Sequence, residues 1–499
     1  MNAPMNRLVD HTVTPLFSAL VKHAQQNPLQ FHIPGHKKGR GAEPSFRQFL
    51  GDNAFSIDLI NIAPLDDLHH PSGVIKEAQE LAADAFGADH TFFSVQGTSG
   101  AIMAMIMSVC GPGDKIIIPR NVHKSVLSAI IFAGAIPVFI HPVMDKQLGI
   151  SHGITLSSVE SSLQQHPDAK AVLVINPTYY GVACNLKGIV ELAHQYGIPV
   201  LVDEAHGVHI HFHEQLPMSA MEAGADMAAT SVHKLGGALT QSSILNVKEG
   251  LVSAKRTQAV LNMLTTTSTS YLLLASLDAA RKQLVLHGRT LLDQAIKLAN
   301  WARDEINAIP GLYCMGQEMV GREESIYDLD PTKLLIHVRQ LGITGHDAEK
   351  WLREKWKIEV ELSDLYNILC LITPGDDEES VSRLVEALRT LAKETRCHLT
   401  QLTPLPVTLP EIPSLAMSPR DAFYADTELV PFDQSAGRII AEFIMIYPPG
   451  IPILLPGEII TEDNLAYIMH NKEQGLPVQG PEDFDFRYLR VIKEYRPIL

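Results

Sequence analysis

The chain has 499 residues, of which 46% are apolar and 19% charged, and it carries a net charge of −16. That length exceeds what one hydrophobic core serves, so roughly two to four domains are expected. An acidic chain without a basic block or a Lys/Arg stripe is a poor fit to nucleic acid and suits a soluble protein that attracts cationic ligands.

The cysteines, Cys110, Cys184, Cys314, Cys370 and Cys397, are scattered, odd in number and never arranged as CxxC. Neither a disulfide framework nor a zinc knuckle follows from that spacing, and a reducing cytoplasm is the expected home. No charged start leads into an apolar signal core, and no run reaches the ~20 apolar residues of a membrane span. A soluble, unexported chain without a membrane partner is expected.

Residues 1–60 read as an N-terminal arm. Thr14-Pro15-Leu16 opens a short amphipathic helix through Ala24, with proline at the first helical position. The stretch from Phe31 to Gly39 is a loop punctuated by Pro34, Gly35 and Gly39 and carrying His32, His36, Lys37 and Lys38.

From 61 to 300 helices and strands alternate, as a mostly parallel sheet covered on both faces requires. Pro71 to Phe86 is predicted helical and Thr91 to Val95 a strand. The strand breaks at Gly97-Thr98-Ser99-Gly100 into an apolar helix from Ala101 to Cys110. Such a turn offers backbone N–H groups, two hydroxyls and the positive end of a helix dipole, which suits a phosphate; Thr98 and Ser99 serve equally as ordinary helix caps. The strand Lys115–Pro119 leads to His123, whose ring offers a stacking face for an aromatic cofactor or a purely structural hydrogen bond. Ala171 to Ile175 then runs into a turn at Asn176-Pro177, at the carboxyl end of a strand, where open α/β sheets place ligands.

Ile198 to Val202 reads as a buried strand ending at Asp203. Further on, a small apolar run (Met227 to Ala229) leads to Ser231-Val232-His233-Lys234, with the lysine 31 positions beyond Asp203, and then to two glycines. Lysines are mostly surface charges, but one at a strand end beside a flexible turn can form an imine with a carbonyl cofactor. Pyridoxal 5′-phosphate needs both an amine for its aldehyde and a carboxylate against its ring nitrogen, and Lys234 with Asp203 fits that need. His209, His211 and His213 alternate, which on an extended segment would put them on one face. With no second liganding cluster they are read as edge histidines, and no metal site is expected.

Six motifs in order, Phe31 to Lys37, Leu65-Asp66-Asp67-Leu68-His69, Gly97 to Gly100, Asn121-Val122-His123-Lys124-Ser125, Asp203-Glu204-Ala205-His206-Gly207 and Ser231 to Lys234, resemble the bacterial-type ornithine/lysine/arginine decarboxylases. Tyr447 to Pro452 and Pro456-Gly457-Glu458 look like that family's C-terminal signature. The resemblance implies pyridoxal-phosphate fold type I, the aspartate aminotransferase-like fold: an α/β large domain with a mostly parallel sheet over 61–300, a smaller α+β domain over 301–395 and a C-terminal α+β domain over 396–499, after a proline-rich linker from Gln401 to Pro413.

It also implies roles. Lys234 would bond the cofactor, Asp203 would pair with the ring nitrogen and His123 would stack on the ring. Gly97, Thr98, Ser99, Ser231 and His206 would line the cofactor, and His233 would sit beside the reacting carbon. Asp67 and Glu458 would meet the substrate; for Glu458, a solvated turn carboxylate is the alternative. The family has proline where Thr269 stands here. The expected reaction is decarboxylation of a basic L-amino acid, arginine to agmatine and carbon dioxide as in polyamine biosynthesis, with lysine or ornithine as alternatives. The returning proton would come from Lys234 or His233. Transamination or β-elimination on the same fold, and a non-catalytic cofactor-binding regulator, are the competing readings. The resemblance is to the short form without a receiver-like wing, so a homodimer or a pair of dimers is expected.

Overall fold

The computed structural model describes residues 9–395, 409–446, 451–473 and 478–493. They form two compact units, one of Met1–Val109 with Pro199–Asp293 and the other of Cys110–Ile198 with Gln294–Leu499.

In the first unit, Val200–Asp203 and Met227–Thr230 are buried along their whole lengths and pair in parallel, with Asp203 opposite Ala229. The small side chains of Ala228 and Ala229 leave room for the apolar helix Gly97–Val109 to lie close. Ser243–Val247 and His90–Ser94 continue the sheet in antiparallel sense. Because Val200–Asp203 and Met227–Thr230 are parallel, their carboxyl ends open on one edge, which places Asp203 and the segment Ser231–Leu235 side by side.

The predicted arm helix is present as Pro15–Gln26. Asp278 caps it from 262 positions away: its carboxylate accepts from the N–H groups of Leu16 and Phe17 at 3.0 and 3.2 Å. Two short helices, Pro44–Leu50 and Asp52–Ile57, follow the histidine- and lysine-bearing loop.

Three local expectations need correction. The Gly97–Gly100 stretch is itself the first turn of the helix, not a turn before it, with Gly97 taking φ +68° to start it. The helix expected from Pro71 begins at Val74. The segment of alternating histidines is a short 3₁₀ turn over Val208–Phe212, so the three rings do not share a strand face. His209 is buried, His211 bonds Glu204 at 2.8 Å and His213 bonds Asp293 at 2.9 Å.

In the second unit, Lys115–Pro119 pairs in parallel with both Ile136–Ile140 and Ala171–Ile175, whose β-branched side chains suit a doubly covered sheet. An antiparallel sheet follows, in the order Tyr313–Cys314, Lys333–His337, Asn367–Leu371, Leu362–Ser363. Helices Gly345–Trp351 and Glu378–Thr395 contribute to its core, in which Leu334, Ile336, Ile368, Leu388 and Leu391 are fully or almost fully buried. The helix Tyr271–Asn307 is continuous through position 300, so no loop marks a boundary there.

The C-terminal residues have a core of their own around Ile440, Ile444, Ile446, Leu454, Ile468, Leu489 and Val491. Thr427–Pro431 pairs with Tyr488–Ile492, Ile444–Ile446 pairs with Ile451–Leu454, and Glu462–Glu473 is helical. Most of the expected linker (401–408), the signature turn Tyr447–Gly450 and Cys397 lie outside the described residues.

Candidate active site

The carboxyl edge of Val200–Asp203 and Met227–Thr230 gathers the residues expected to react. Met227–Thr230 ends at Thr230, and Val232–Leu235 forms a single helical turn that carries His233 and Lys234. Gly236 closes that turn because no larger residue fits: a Cβ there would stand 2.8 Å from the Val232 carbonyl oxygen. Lys234 is half-buried, and its Nζ lies 2.7 Å from His206 Nε2. His206 sits three residues beyond Asp203, so this bond draws the lysine amine toward the loop that begins at Asp203. Asp203 is buried, and its Oδ1 accepts from the Ala205 N–H at 3.1 Å.

Three residues before the lysine, Ser231 belongs to a hydroxyl cluster. Thr98 Oγ1, in the first turn of its helix, hydrogen-bonds Ser231 Oγ and lies 2.7 Å from Ser243 Oγ. Three hydroxyls in a row carry three protons and share two contacts, so one O–H remains to point at an external acceptor. Together with the N-terminal amides of a thirteen-residue helix, this arrangement can hold an anion such as a phosphate. Thr98 is therefore a cluster hydroxyl and more than a cap. Ser99 is half-buried in the same turn.

Ser243 was not expected. Its signal in the sequence is only a serine pair opening an apolar run, and it joins Thr98 because the antiparallel register sets Ser94 opposite Ser243. Ser242 is a second such residue. Its carbonyl, 2.9 Å from His233 Nδ1, can only accept, so that nitrogen carries the proton and the lone pair of the neutral ring lies on Nε2.

Other expected site residues have structural partners. Asp67 Oδ1 accepts from the His69 N–H at 3.0 Å and its Oδ2 from Asn61 at 3.3 Å, a turn-closing pattern. His123 is the N-cap of the helix Lys124–Ala133, its Nδ1 accepting from the Ser125 N–H at 3.2 Å. That cap holds the ring in one orientation.

Glu458 requires a correction. It is neither solvated nor open to a substrate cation, being 1% exposed with both oxygens on Arg120, at 2.5 and 2.9 Å. Oε2 also accepts from the Leu455 N–H at 2.8 Å, and Arg120 reaches the carbonyls of Pro452 and Ile453. The cation it answers is the chain's own, and a bidentate buried pair of this kind binds the C-terminal turn into its unit. Arg120, just beyond the apolar strand Lys115–Pro119, was the missed partner.

Among the described residues no three His, Cys, Asp or Glu side chains converge to hold a metal ion, and no helix is long and apolar enough to cross a membrane. Burial pushes the thiols of Cys110, Cys184, Cys314 and Cys370 up to about 12, which leaves them inert as nucleophiles.

Residues 14–380 match the family described as Orn/Lys/Arg decarboxylase, major domain, and residues 405–477 match its C-terminal domain. The chain belongs to the Orn/Lys/Arg decarboxylase family. Within the family it is 71% identical to an arginine decarboxylase of Halalkalibacterium halodurans, over 97% of this chain and 99% of that one. It is 67% identical to an arginine decarboxylase of Bacillus subtilis over the same shares. Among solved structures it is similar to lysine decarboxylase A of Pseudomonas aeruginosa, with TM-score 0.84 and 26% identity, over 97% of this chain and 81% of that one. Serine palmitoyltransferase of Sphingomonas wittichii shares the fold alone, with TM-score 0.52 and 16% identity, over 64% of this chain and 76% of that one. The fold class and the decarboxylase class expected from the motifs are those of the family.

Proposed function

We propose that the chain decarboxylates arginine with pyridoxal 5′-phosphate held by the first unit. The observation that carries this is the joint placement, on one sheet edge, of a lysine amine, a buried carboxylate and a hydroxyl cluster at a helix start. Those are the three groups the cofactor's aldehyde, ring nitrogen and phosphate require, so the residues present fit it. Arginine is supported over lysine and ornithine by the near-full-length identity to arginine decarboxylases.

When bound, the cofactor supplies an electron sink for the pair released as carbon dioxide leaves. The chain's own residues do the rest. Lys234 Nζ would hold the cofactor's aldehyde carbon, and His206 Nε2, 2.7 Å away, orients the lysine amine. Asp203 keeps the ring nitrogen protonated, because an adjacent negative charge favours the cationic form. Thr98, Ser231 and Ser243, with Gly97 and Ser99 in the same turn, grip the phosphate. Either Lys234 Nζ or His233 would return the proton; His233 donates from Nε2 only once that nitrogen has been protonated, because the bond to the Ser242 carbonyl leaves the lone pair of the neutral ring there.

The cytoplasm and a homodimer or pair of dimers complete the reading, along with the division into an arm, a cofactor-binding domain to residue 300, a small domain to 395 and a C-terminal domain. Phe31, Phe49 and Leu29 on the arm, which are 94%, 89% and 80% exposed, support association with a second chain.

The test is incubation of purified enzyme and cofactor with arginine, lysine and ornithine, scored for carbon dioxide against keto acid. Carbon dioxide with kcat/KM highest for arginine is expected. A keto acid product, or a preference for lysine or ornithine, overturns the assignment.

A further inference from the structure

We propose that Glu204 is the positioning residue that keeps the Asp203 and Lys234 segments in mutual register, an inference that rests on reading both as cofactor ligands. The parallel ladder between Val200–Asp203 and Met227–Thr230 ends with Asp203 opposite Ala229, and the Glu204 N–H donates to the Ala229 carbonyl at 3.0 Å as its last backbone rung. Beyond that rung the two chains part, one into the loop with His206 and the other into the turn with Ser231, His233 and Lys234.

The Glu204 side chain supplies one rung more. It is fully buried, and its Oε2 accepts from the Thr230 hydroxyl at 2.9 Å, directly before Ser231. The same carboxylate accepts from His211 Nε2 at 2.8 Å and from the Ala220 N–H at 2.7 Å. His211 is wedged edge-on against Phe86, with ring centroids 4.9 Å apart, and the Gly207 N–H returns to the Glu204 carbonyl at 2.9 Å. One carboxylate thus closes the loop that carries His206, whose Nε2 holds the Lys234 amine, and ties that loop to the strand that delivers the lysine.

Sheet stability alone does not call for this group. Burying a charge is costly, and well-packed apolar residues often serve a core at least as well. What a carboxylate does that a leucine cannot is accept from three donors on three separate segments, at 211, 220 and 230. An amide at 204 can accept at one end only, and the Ala220 N–H cannot become an acceptor. Thr230 and His211 would then have to reverse their roles, which shifts the rung that sets the lysine. A shift of about 1 Å at a reacting group costs roughly 10²-fold in rate.

The experiment compares the holoenzyme with Glu204→Gln, Thr230→Val and Thr230→Ser. It measures kcat and KM for the best substrate of the three-substrate panel, the visible circular dichroism of bound pyridoxal phosphate, and hydrogen exchange of the 204–212 amides. Glu204→Gln and Thr230→Val are expected to lower kcat about 10- to 100-fold with KM changed less than about threefold. The same two variants should alter the cofactor's dichroism and speed exchange over 204–212, and Thr230→Ser, which keeps the hydroxyl, should restore all three readouts. Should Glu204→Gln not fold, Thr230→Val carries the test, since it removes a single hydroxyl from an otherwise intact site. Wild-type kcat and dichroism in Thr230→Val, or a lowered melting temperature as its sole change, overturns the proposal. Lys234→Ala run alongside separates the two levels: if it still turns over with bound cofactor the cofactor reading is wrong, whereas a silent Thr230 series beside a dead Lys234→Ala condemns the rung alone.

Discussion

Thr98 is the residue on which the proposed anion cradle turns, because it touches both of the other hydroxyls in the cluster. Replacing it with valine keeps its shape but strands Ser231 and Ser243 in a buried place, at a cost of about 1–3 kcal/mol. Thr98→Val is therefore expected to weaken pyridoxal phosphate binding by about tenfold or more in an absorbance titration. An unchanged dissociation constant would remove the hydroxyls from the site. Residue-scale legibility was uneven for a physical reason. Thr98 and Ser231 stand beside readable landmarks, a helix start and a lysine, whereas Ser243 and Arg120 acquire their roles from partners 145 and 338 positions distant. Local pattern carries no trace of such pairings, and for that reason Glu458 read as a substrate ligand, or else a solvated turn acid, when it is half of a buried ion pair.

At the scale of elements, Asp66 shows how a helix start is set from outside the helix. It takes φ +67°, and its carboxylate gathers the N–H groups of Gly73 at 2.7 Å and Ile75 at 3.0 Å, doing the work of an N-cap for Val74–Phe86, whose own N-cap residue is a glycine. That is why the helix begins at Val74 and not at Pro71. Burial pushes the Asp66 carboxyl up, but the backbone N–H groups of Ser72, Asp67, Gly73 and Lys76 outweigh it and hold the group below the ordinary 3.8.

A carboxyl depressed in the folded state stabilises fully above its unfolded value, and that stabilisation is lost as pH falls through the lower folded value. Asp66→Ala is expected to cost about 0.5–2 kcal/mol near neutrality, with the gap from wild type closing as pH falls below the ordinary 3.8 in urea melts. A gap that stays constant through that fall would show the carboxylate's charge to be irrelevant. Elements with strong apolar periods, such as Ala171–Ile175 and Lys333–His337, were legible almost to the residue. The histidine stretch was not, because alternation on a 3₁₀ turn and alternation on a strand look alike in one dimension.

Over the whole molecule, sequence order and spatial order diverge. The first compact unit takes its residues from two separated stretches, and the helix Tyr271–Asn307 runs through the place where the sequence suggested a boundary. The fold class was nonetheless legible, since six motifs in order specify it far more narrowly than any single one. The C-terminal residues, with their own apolar core, are tied within their unit by the Arg120–Glu458 pair. The four described cysteines are buried, and the proposed chemistry falls on one sheet edge and on one amine there. Borohydride reduction of the protein with pyridoxal phosphate, followed by peptide mass mapping, tests that claim most directly. The account predicts the stable label on Lys234 and its loss in Lys234→Ala; a label on any other lysine, with Lys234 unmodified, would contradict it.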